Sequence, residues 1–291
     1  MKFKEQQYDK EGRLRHRRFE IDARIISHSQ TREDAFEIVL EAPPIASSAM
    51  PGQFVEILFG ENYSPLLRRP FSIFHAEPGA GTVSVLYRRH GSFTSGLKHK
   101  SAGDNLSLIG PLGRPFHYDV SENAVPILIA GGIGAPPISF LAERLASDFR
   151  KNGRETQDIV VINAARTSDH LIGISALKAL QIDLRTVTND GTAGFQGTAL
   201  EVLQEVLIML PETAIPQIFA CGPMPMLRSI SNSVVPLLLP CQLSIETPMP
   251  CGIGTCAGCA VVVRDTSNND GFRYALACTD GPIFEATDLI W

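Results

Sequence analysis

The sequence predicts a β plus α/β protein: an N-terminal antiparallel β-barrel, a parallel α/β domain, and a small C-terminal piece held by a metal centre. Three observations carry this. Short alternating or apolar runs separated by Pro and Gly turns fill the first third of the chain. From Val125 onward the rhythm changes to strand, helix, strand. Residues 241–291 are rich in small residues and hold most of the chain's six cysteines, and such a short piece needs a staple.

Residues 19–118 form the first unit. The runs Phe36-Glu37-Ile38-Val39-Leu40, Phe54-Val55-Glu56-Ile57-Leu58-Phe59 and Thr82-Val83-Ser84-Val85-Leu86-Tyr87 are spaced by turns as in a small barrel. Residues 119–240 form the second. Val125 to Ala130 is wholly apolar, as expected of a strand buried on both faces. It runs into Gly131-Gly132-Ile133-Gly134, and Pro136-Pro137 then opens a helix, where a proline in the first turn is tolerated. Ile138, Leu141, Leu145 and Phe149 share one face of that helix, and Asn152-Gly153 stops it. Asp158 to Asn163, Ile182 to Thr188 and Gln217 to Cys221 are the next strands. Thr198 and Glu201 form a capping-box pattern for a helix through Met209, and Pro225 to Val235 forms another.

A length of 291 residues suits two domains and an appendage, and 44% apolar with 20% charged residues is the balance of a globular protein. The net charge of −5 argues against a general nucleic-acid binder. Residues 1–18 depart from this balance with seven Lys or Arg against three acids. No apolar segment follows them, so they are not a secretory signal, and Glu5, Asp9 and Glu11 count against a mitochondrial presequence. A solvated, flexible extension is expected there. No run approaches the ~18 apolar residues of a membrane span. A cytoplasmic location follows as an expectation, and in that reducing compartment cysteines serve as metal ligands or buried thiols more often than as disulfides.

Cys251-Gly-Ile-Gly-Thr-Cys256-Ala-Gly-Cys259, closed by Cys278, has the C-x4-C-x2-C…C spacing of plant-type [2Fe–2S] sites. Soft thiolates suit iron, with three from one tight loop and the fourth from a separate strand. Gly252, Gly254 and Gly258 allow the loop to turn sharply and aim backbone N–H groups at the sulfurs. A zinc site usually brings paired C-x2-C units, and here Cys256 and Cys259 form one such pair. Cys241 is expected to be a small buried hydrophobe.

Arg69-Pro70-Phe71-Ser72 places a guanidinium beside a Pro-fixed extended segment that ends in a hydroxyl. Alone it reads as an edge strand with a surface arginine. With a cluster downstream it suits a diphosphate-binding arginine and a serine near a flavin ring. Leu86-Tyr87-Arg88, followed by Phe93-Thr94, offers a stacking aromatic, a second cation and a helix N-terminus, although Tyr87 equally suits barrel packing. Gly131, Gly132 and Gly134 follow a strand and open a helix, the setting for a dinucleotide phosphate. Cys221-Gly222-Pro223-Met224 ends another strand at the same carboxyl edge, where ligands collect in open α/β folds.

Taken in order, these motifs resemble the ferredoxin–NADP reductase superfamily. More closely, the chain is similar to the electron transfer subunits of type B, NAD-dependent dihydroorotate dehydrogenases. The resemblance rests on Leu67 to Ile73, Gly103-Asp104 leading to Gly110-Pro111-Leu112-Gly113, Gly131 to Gly134, Thr188 to Gly191, Ala220 to Met226 and Pro250 to Cys259. Its most specific part is Cys278-Thr279-Asp280-Gly281-Pro282-Ile283-Phe284. It implies FAD contacts from Arg69 to Ser72, Leu86 to Arg88 and Phe93-Thr94, and a [2Fe–2S] cluster on the four cysteines. Phe93 stands where the family has glycine, and a bulky side chain there is expected to hinder approach to the diphosphate. The basic extension lies outside the family pattern.

The resemblance further implies an electron-transfer role in pyrimidine biosynthesis. An FMN-containing dihydroorotate dehydrogenase catalytic subunit would be the partner, in a heterotetramer of two copies of each chain. Electrons would pass through the [2Fe–2S] centre and FAD to NAD⁺, and no catalytic acid or base is expected from this chain. The alternatives are a stand-alone NAD(P)H reductase, the flavin subunit of a hydrogenase or ferredoxin-linked transhydrogenase, and a metal-stapled interaction module. NAD against NADP stays open. Arg166 follows the second α/β strand, where it suits either a 2′-phosphate contact or a solvated surface.

Overall fold

The computed structural model describes residues 17–59 and 66–291; residues 1–16, most of the basic extension, lie outside the described residues. Among these, the strands β1 (Phe19–Gln30), β2 (Ala35–Glu41), β3 (Phe54–Leu58), β4 (Arg69–Glu77), β5 (Thr82–Arg88) and β6 (Asn105–Leu112) close a barrel in the order β1-β2-β5-β4-β3-β6. Every pairing in it is antiparallel. Two short helices, α1 (Pro43–Ala46) and α2 (Gly91–Leu97), lie between strands.

Alternation decides what fills the barrel, because successive side chains of a strand face opposite ways. Ile38, Leu40, Val55, Ile57, Ile73, Val83, Val85 and Leu108 point inward and are fully buried. On β3 the intervening Phe54 turns outward and packs with Leu112, Cys259 and Cys278 in a different core cluster. The outer face of β3 is therefore covered by the cysteine-bearing piece rather than by water.

The second sheet has the order β10-β9-β8-β7-β11-β12-β15. Its elements are β7 (Ala124–Gly131), α3 (Ala135–Lys151), β8 (Val160–Ala165), α4 (Ile174–Ala179), β9 (Asp183–Thr188), β10 (Phe195–Gln196), α5 (Ala199–Met209), β11 (Ile215–Cys221), α6 (Met224–Val234) and β12 (Cys241–Ser244). These strands pair in parallel. The hairpin β13 (Ala260–Arg264) and β14 (Phe272–Leu276) follows, then β15 (Ile283–Glu285). Successive connections run outward from β7 in one direction and return at β11. The order thus reverses between β7 and β11, the place where open α/β sheets bind ligands.

The composition-based boundary at residue 240 does not end this sheet. β12 pairs in parallel with β11, and β15 adds an antiparallel edge strand to β12. The reason is burial: Cys241 and Leu243 belong to the sheet's core although they precede the cysteine loop by few residues. Cys241 is the expected buried hydrophobe.

α3 holds the two large units together. Its face of Ile138, Leu141, Leu145 and Phe149 is fully buried against the sheet, each side chain contributing about 1.5–3 kcal/mol relative to exposure. On its barrel side, Glu143 Oε2 lies 2.6 Å from Nδ1 of His75 on β4. No helix among the described residues is long and apolar enough to cross a membrane.

Candidate functional site

The loop between β12 and β13 carries three of the four motif cysteines, and Cys278 follows β14. Gly252 (φ +65°) and Gly254 (φ +86°) adopt the left-handed backbone that glycine permits, and Ala257 does so as well. These reversals turn amide groups toward sulfur. Gly258 N–H donates to Cys256 Sγ at 3.4 Å, and Cys278 N–H to Cys259 Sγ at 3.5 Å. Burial opposes ionisation of Cys251, yet the backbone N–H groups of Cys256, Ile253 and Thr255 outweigh it and bring the thiol down to about 6. Cys278 is pushed up to about 12 by burial and by Cys259, whose sulfur is 3.3 Å away.

The thiols thus fall into two neighbouring pairs, Cys251 with Cys256 and Cys259 with Cys278. Among the described residues no three His, Cys, Asp or Glu side chains close around a single point. Two thiol pairs fringed by amide donors fit a two-iron cluster, which takes two thiolates per iron, better than a single-ion cage. Cys259 and Cys278 are buried, whereas Ile253 and residues 255–258 are exposed at the loop's tip.

The segment Arg69-Pro70-Phe71-Ser72 is the start of β4. Arg69 and the preceding Arg68 differ. Arg68 is tied to the barrel through the Ser107 carbonyl and hydroxyl and through Glu20. Arg69 is exposed, donates to the Leu67 and Arg68 carbonyls, and lies 5.4 Å from the centre of the Phe93 ring. Phe93 on α2 turns its ring into the barrel end, against Phe59 at 4.8 Å, rather than outward. From that orientation the ring supports the Arg69 guanidinium.

Thr94, next to it, ties its hydroxyl to the His90 backbone. Tyr87 faces the barrel interior, stacked on Phe36 at 5.5 Å and bonded to His28. Its ring is a packing element, and burial raises its phenol. Leu86 faces the α3 side of the barrel. The Arg88 guanidinium is held by Asp34, a partner the sequence did not suggest.

At the sheet's reversal point the two glycine turns touch. Gly134 faces the Cys221 carbonyl so closely that a Cβ has no room, and a Cβ on Gly222 would lie 2.9 Å from Gly131 Cα. Gly132 (φ +52°) has open space above it. Pro223 and Met224 are exposed at the mouth of this notch. Cys221 is core: burial pushes its thiol up to about 12 despite a bond to Ser244, so it enters the notch through its backbone. Arg166 is exposed beyond the end of β8.

One residue at the centre of the arrangement had no sequence signal. Glu56 on β3 is wholly buried, and neither carboxylate oxygen has a hydrogen-bond partner among the described residues. Burial pushes its carboxyl up to about 8 against the pull of Arg68, with Cys251 adding to the rise. It pairs across the ladder with Pro70, and a Cβ on Gly252 would lie 2.5 Å from its Cγ. In Phe54-Val55-Glu56-Ile57 strict alternation puts a charge on the face away from the barrel interior, which reads as solvent.

Comparison with known proteins agrees with this geometry. Residues 246–290 match the family model of the iron–sulfur cluster binding domain of dihydroorotate dehydrogenase B. The dihydroorotate dehydrogenase B (NAD⁺) electron transfer subunit of Desulforamulus reducens is 32% identical over 271 residues, covering 93% of this chain and 98% of that protein. The same subunit of Geobacillus thermodenitrificans is 30% identical over 267 residues, covering 91% and 96%.

Among solved structures, a chain of an NADH-dependent reduced ferredoxin–NADP oxidoreductase superposes with a TM-score of 0.74 at 24% identity, covering 92% of this chain and 90% of that one. A ferredoxin NADP⁺ reductase from Neisseria gonorrhoeae superposes at 0.60 with 16% identity, covering 75% and 91%. The last two establish the fold. Identity at this level over nearly the full length of both chains places the protein in the family of electron transfer subunits of dihydroorotate dehydrogenase B.

Proposed function

We propose that this chain is the electron-transfer component of an NAD-linked dihydroorotate dehydrogenase in pyrimidine biosynthesis. It receives electrons from a separate FMN-containing catalytic subunit and delivers them to NAD⁺ through a [2Fe–2S] cluster and FAD. The observation that carries this reading is adjacency: the loop with Cys251, Cys256 and Cys259 lies directly on β3, whose ladder partner β4 begins with Arg69 to Ser72. When bound, a flavin exchanges electrons singly or as a hydride, which is what joins an iron–sulfur centre to a nicotinamide.

The chain's own residues bind and space these groups. Cys251, Cys256, Cys259 and Cys278 hold the cluster, and the loop amides stabilise the sulfur charge. Arg69, backed by the Phe93 ring, meets the FAD diphosphate, with Pro70, Phe71, Ser72, Leu86, Arg88 and Thr94 around it and Tyr87 packing beneath. Gly131, Gly132 and Gly134 with Cys221 to Met224 receive NAD at the sheet's reversal point. The functional division is 19–118 for FAD, 119–240 for NAD and 241–291 for the cluster, the last lending β12 and β15 to the sheet. No side chain acts as acid or base on a substrate. The exposed loop tip around Ile253 suits contact with the catalytic subunit, in a heterotetramer of two of each chain in the cytoplasm.

The test is co-expression with an FMN-bearing dihydroorotate dehydrogenase and measurement of dihydroorotate-dependent NADH formation. Activity that needs both chains is expected, with its loss in Cys256→Ser alongside loss of the cluster's absorption. A Cys256→Ser complex without the cluster that still forms NADH at the full rate would remove the cluster from the path. Rapid ferricyanide reduction by the lone chain with no gain from the partner would favour a stand-alone reductase.

A further inference from the structure

The run Cys278-Thr279-Asp280-Gly281-Pro282-Ile283-Phe284 is the most specific part of the sequence pattern, yet a cluster needs only its first residue. Asp280 closes a turn around that residue. Its N–H donates to the Leu276 carbonyl at 2.7 Å, and its Oδ2 accepts from the Leu276 N–H at 2.8 Å. Cys278 stands inside this doubly tied turn, from which its own N–H reaches Cys259 Sγ. A carboxylate accepting an N–H makes a stronger bond than a neutral acceptor does.

Two other parts of the chain grip the turn. On one side Thr279 packs on the cysteine loop, where a Cβ on Gly254 would lie 2.9 Å from Thr279 Cγ2. On the other side it meets the chain leaving β6. Arg114 N–H donates to the Gly281 carbonyl at 2.6 Å, and the Arg114 guanidinium lies 3.8 Å from Asp280 Oδ1. Gly113 permits this approach, since a Cβ there would lie 2.5 Å from Pro282 Cδ. β6 pairs with β3, which in turn pairs with β4. Arg114 thus joins the barrel to the turn that bears the fourth cysteine.

We propose that Asp280 and Arg114 are positioning residues for the cluster. Asp280 locks the turn that presents Cys278, and Arg114 fastens that turn to the barrel, so that the cluster keeps a fixed place relative to the flavin. This rests on the reading of the four cysteines as cluster ligands and of the barrel as the FAD unit.

The experiment uses the holoprotein and the variants Asp280→Ala, Asp280→Asn, Arg114→Gln, Arg114→Lys and Asp280→Asn with Arg114→Gln. Three readouts are taken: iron release to a ferrous chelator, the reduced-state electron paramagnetic resonance signal, and cluster bleaching after NADH, which gives FAD a hydride and through it one electron to the cluster. Loss of a hydrogen bond to a charged group predicts iron release about tenfold faster in Asp280→Ala, with a shifted signal. The ion pair is partly exposed, so Arg114→Gln should speed release only about twofold. It should slow cluster bleaching relative to flavin bleaching, and Arg114→Lys should restore it. Once Asp280→Asn has removed the pair, adding Arg114→Gln should change little.

An Asp280→Ala holoprotein with native iron release and an unshifted signal would overturn the proposal. If that variant does not accumulate, the double variant decides. Effects that fail to add support the clasp, and effects that add, or no effects, overturn it. Cys278→Ser separates the two levels. A native cluster signal there removes the cluster from these cysteines, and the clasp with it. Loss of the signal there, with unaltered Asp280 and Arg114 variants, removes only the clasp.

Discussion

At Gly134 a single methyl group would strike the Cys221 carbonyl, because the turns after β7 and β11 meet backbone to backbone. The added Cβ has no flexible neighbour to push aside. Gly134→Ala should therefore cost about 1–3 kcal/mol, as overpacking does. It should also weaken NADH binding, since it wedges the notch open. Thermal melting and nucleotide titration check both, and an unshifted melting temperature would contradict the close approach. Residues of this kind were legible beforehand because glycine clusters after strands are local signals. Glu56 was not, because its burial depends on a loop that arrives from nearly two hundred positions later in the chain. Arg88 was legible as a cation but not as the partner of Asp34.

Among the elements, α5 shows local sequence chemistry acting as written. The Thr198 side chain accepts from Glu201 N–H, and the Glu201 carboxylate accepts from Thr198 N–H at 2.7 Å, a reciprocal capping box. The Thr198 hydroxyl, which donates to the Glu201 carboxylate at 2.8 Å, and the Thr198 N–H together hold that carboxyl below its usual range. Thr198→Ala should lower stability by about 1 kcal/mol, measured by urea denaturation, with no effect on cluster or flavin content. The helices and strands of the α/β unit follow their patterns for the same reason: caps, prolines and apolar faces act within a few residues. β12 and β15 depart from the expected boundary because a strand's membership in a sheet is decided by its neighbours. Four residues with Cys241 at their head carry no local mark of that. Tyr87 is a similar case, in which alternation along β5 assigns the ring to one face but only barrel closure makes that face the interior.

For the whole molecule, the His75–Glu143 pair joins β4 of the barrel to α3 of the α/β unit. The hydrogen bond to Glu143 raises the imidazole above its ordinary 6.5, burial opposes this, and the charges of Glu143, Glu77 and Glu37 add to the rise. A raised pKa in the folded state means that the stabilisation is fully present below the ordinary histidine value. It is lost as pH climbs through the raised value. Both side chains are more than a third exposed, so screening keeps the effect below about 1 kcal/mol. Stability should fall as pH rises above the ordinary histidine range in the native chain, and His75→Gln should flatten that slope. Denaturation across this range measures it, and parallel slopes in the two proteins would exclude the pair as the source.

What the sequence by itself determined was the chemistry of the parts. Cysteine spacing, glycine turns at strand ends and capped amphipathic helices are short-range features, set by which atoms a few consecutive residues bring together. The tertiary structure decided how those parts face one another: the cysteine loop on the outer face of β3, the two glycine turns in contact, Phe93 beside Arg69, and Glu56 sealed beneath the Gly252 turn. The physical reason is that alternation and periodicity divide an element into faces without saying what covers each one. Covering is a long-range event, settled by which surfaces bury the most apolar area together. Here it changes a glutamate that reads as solvated into a buried, unpartnered carboxyl.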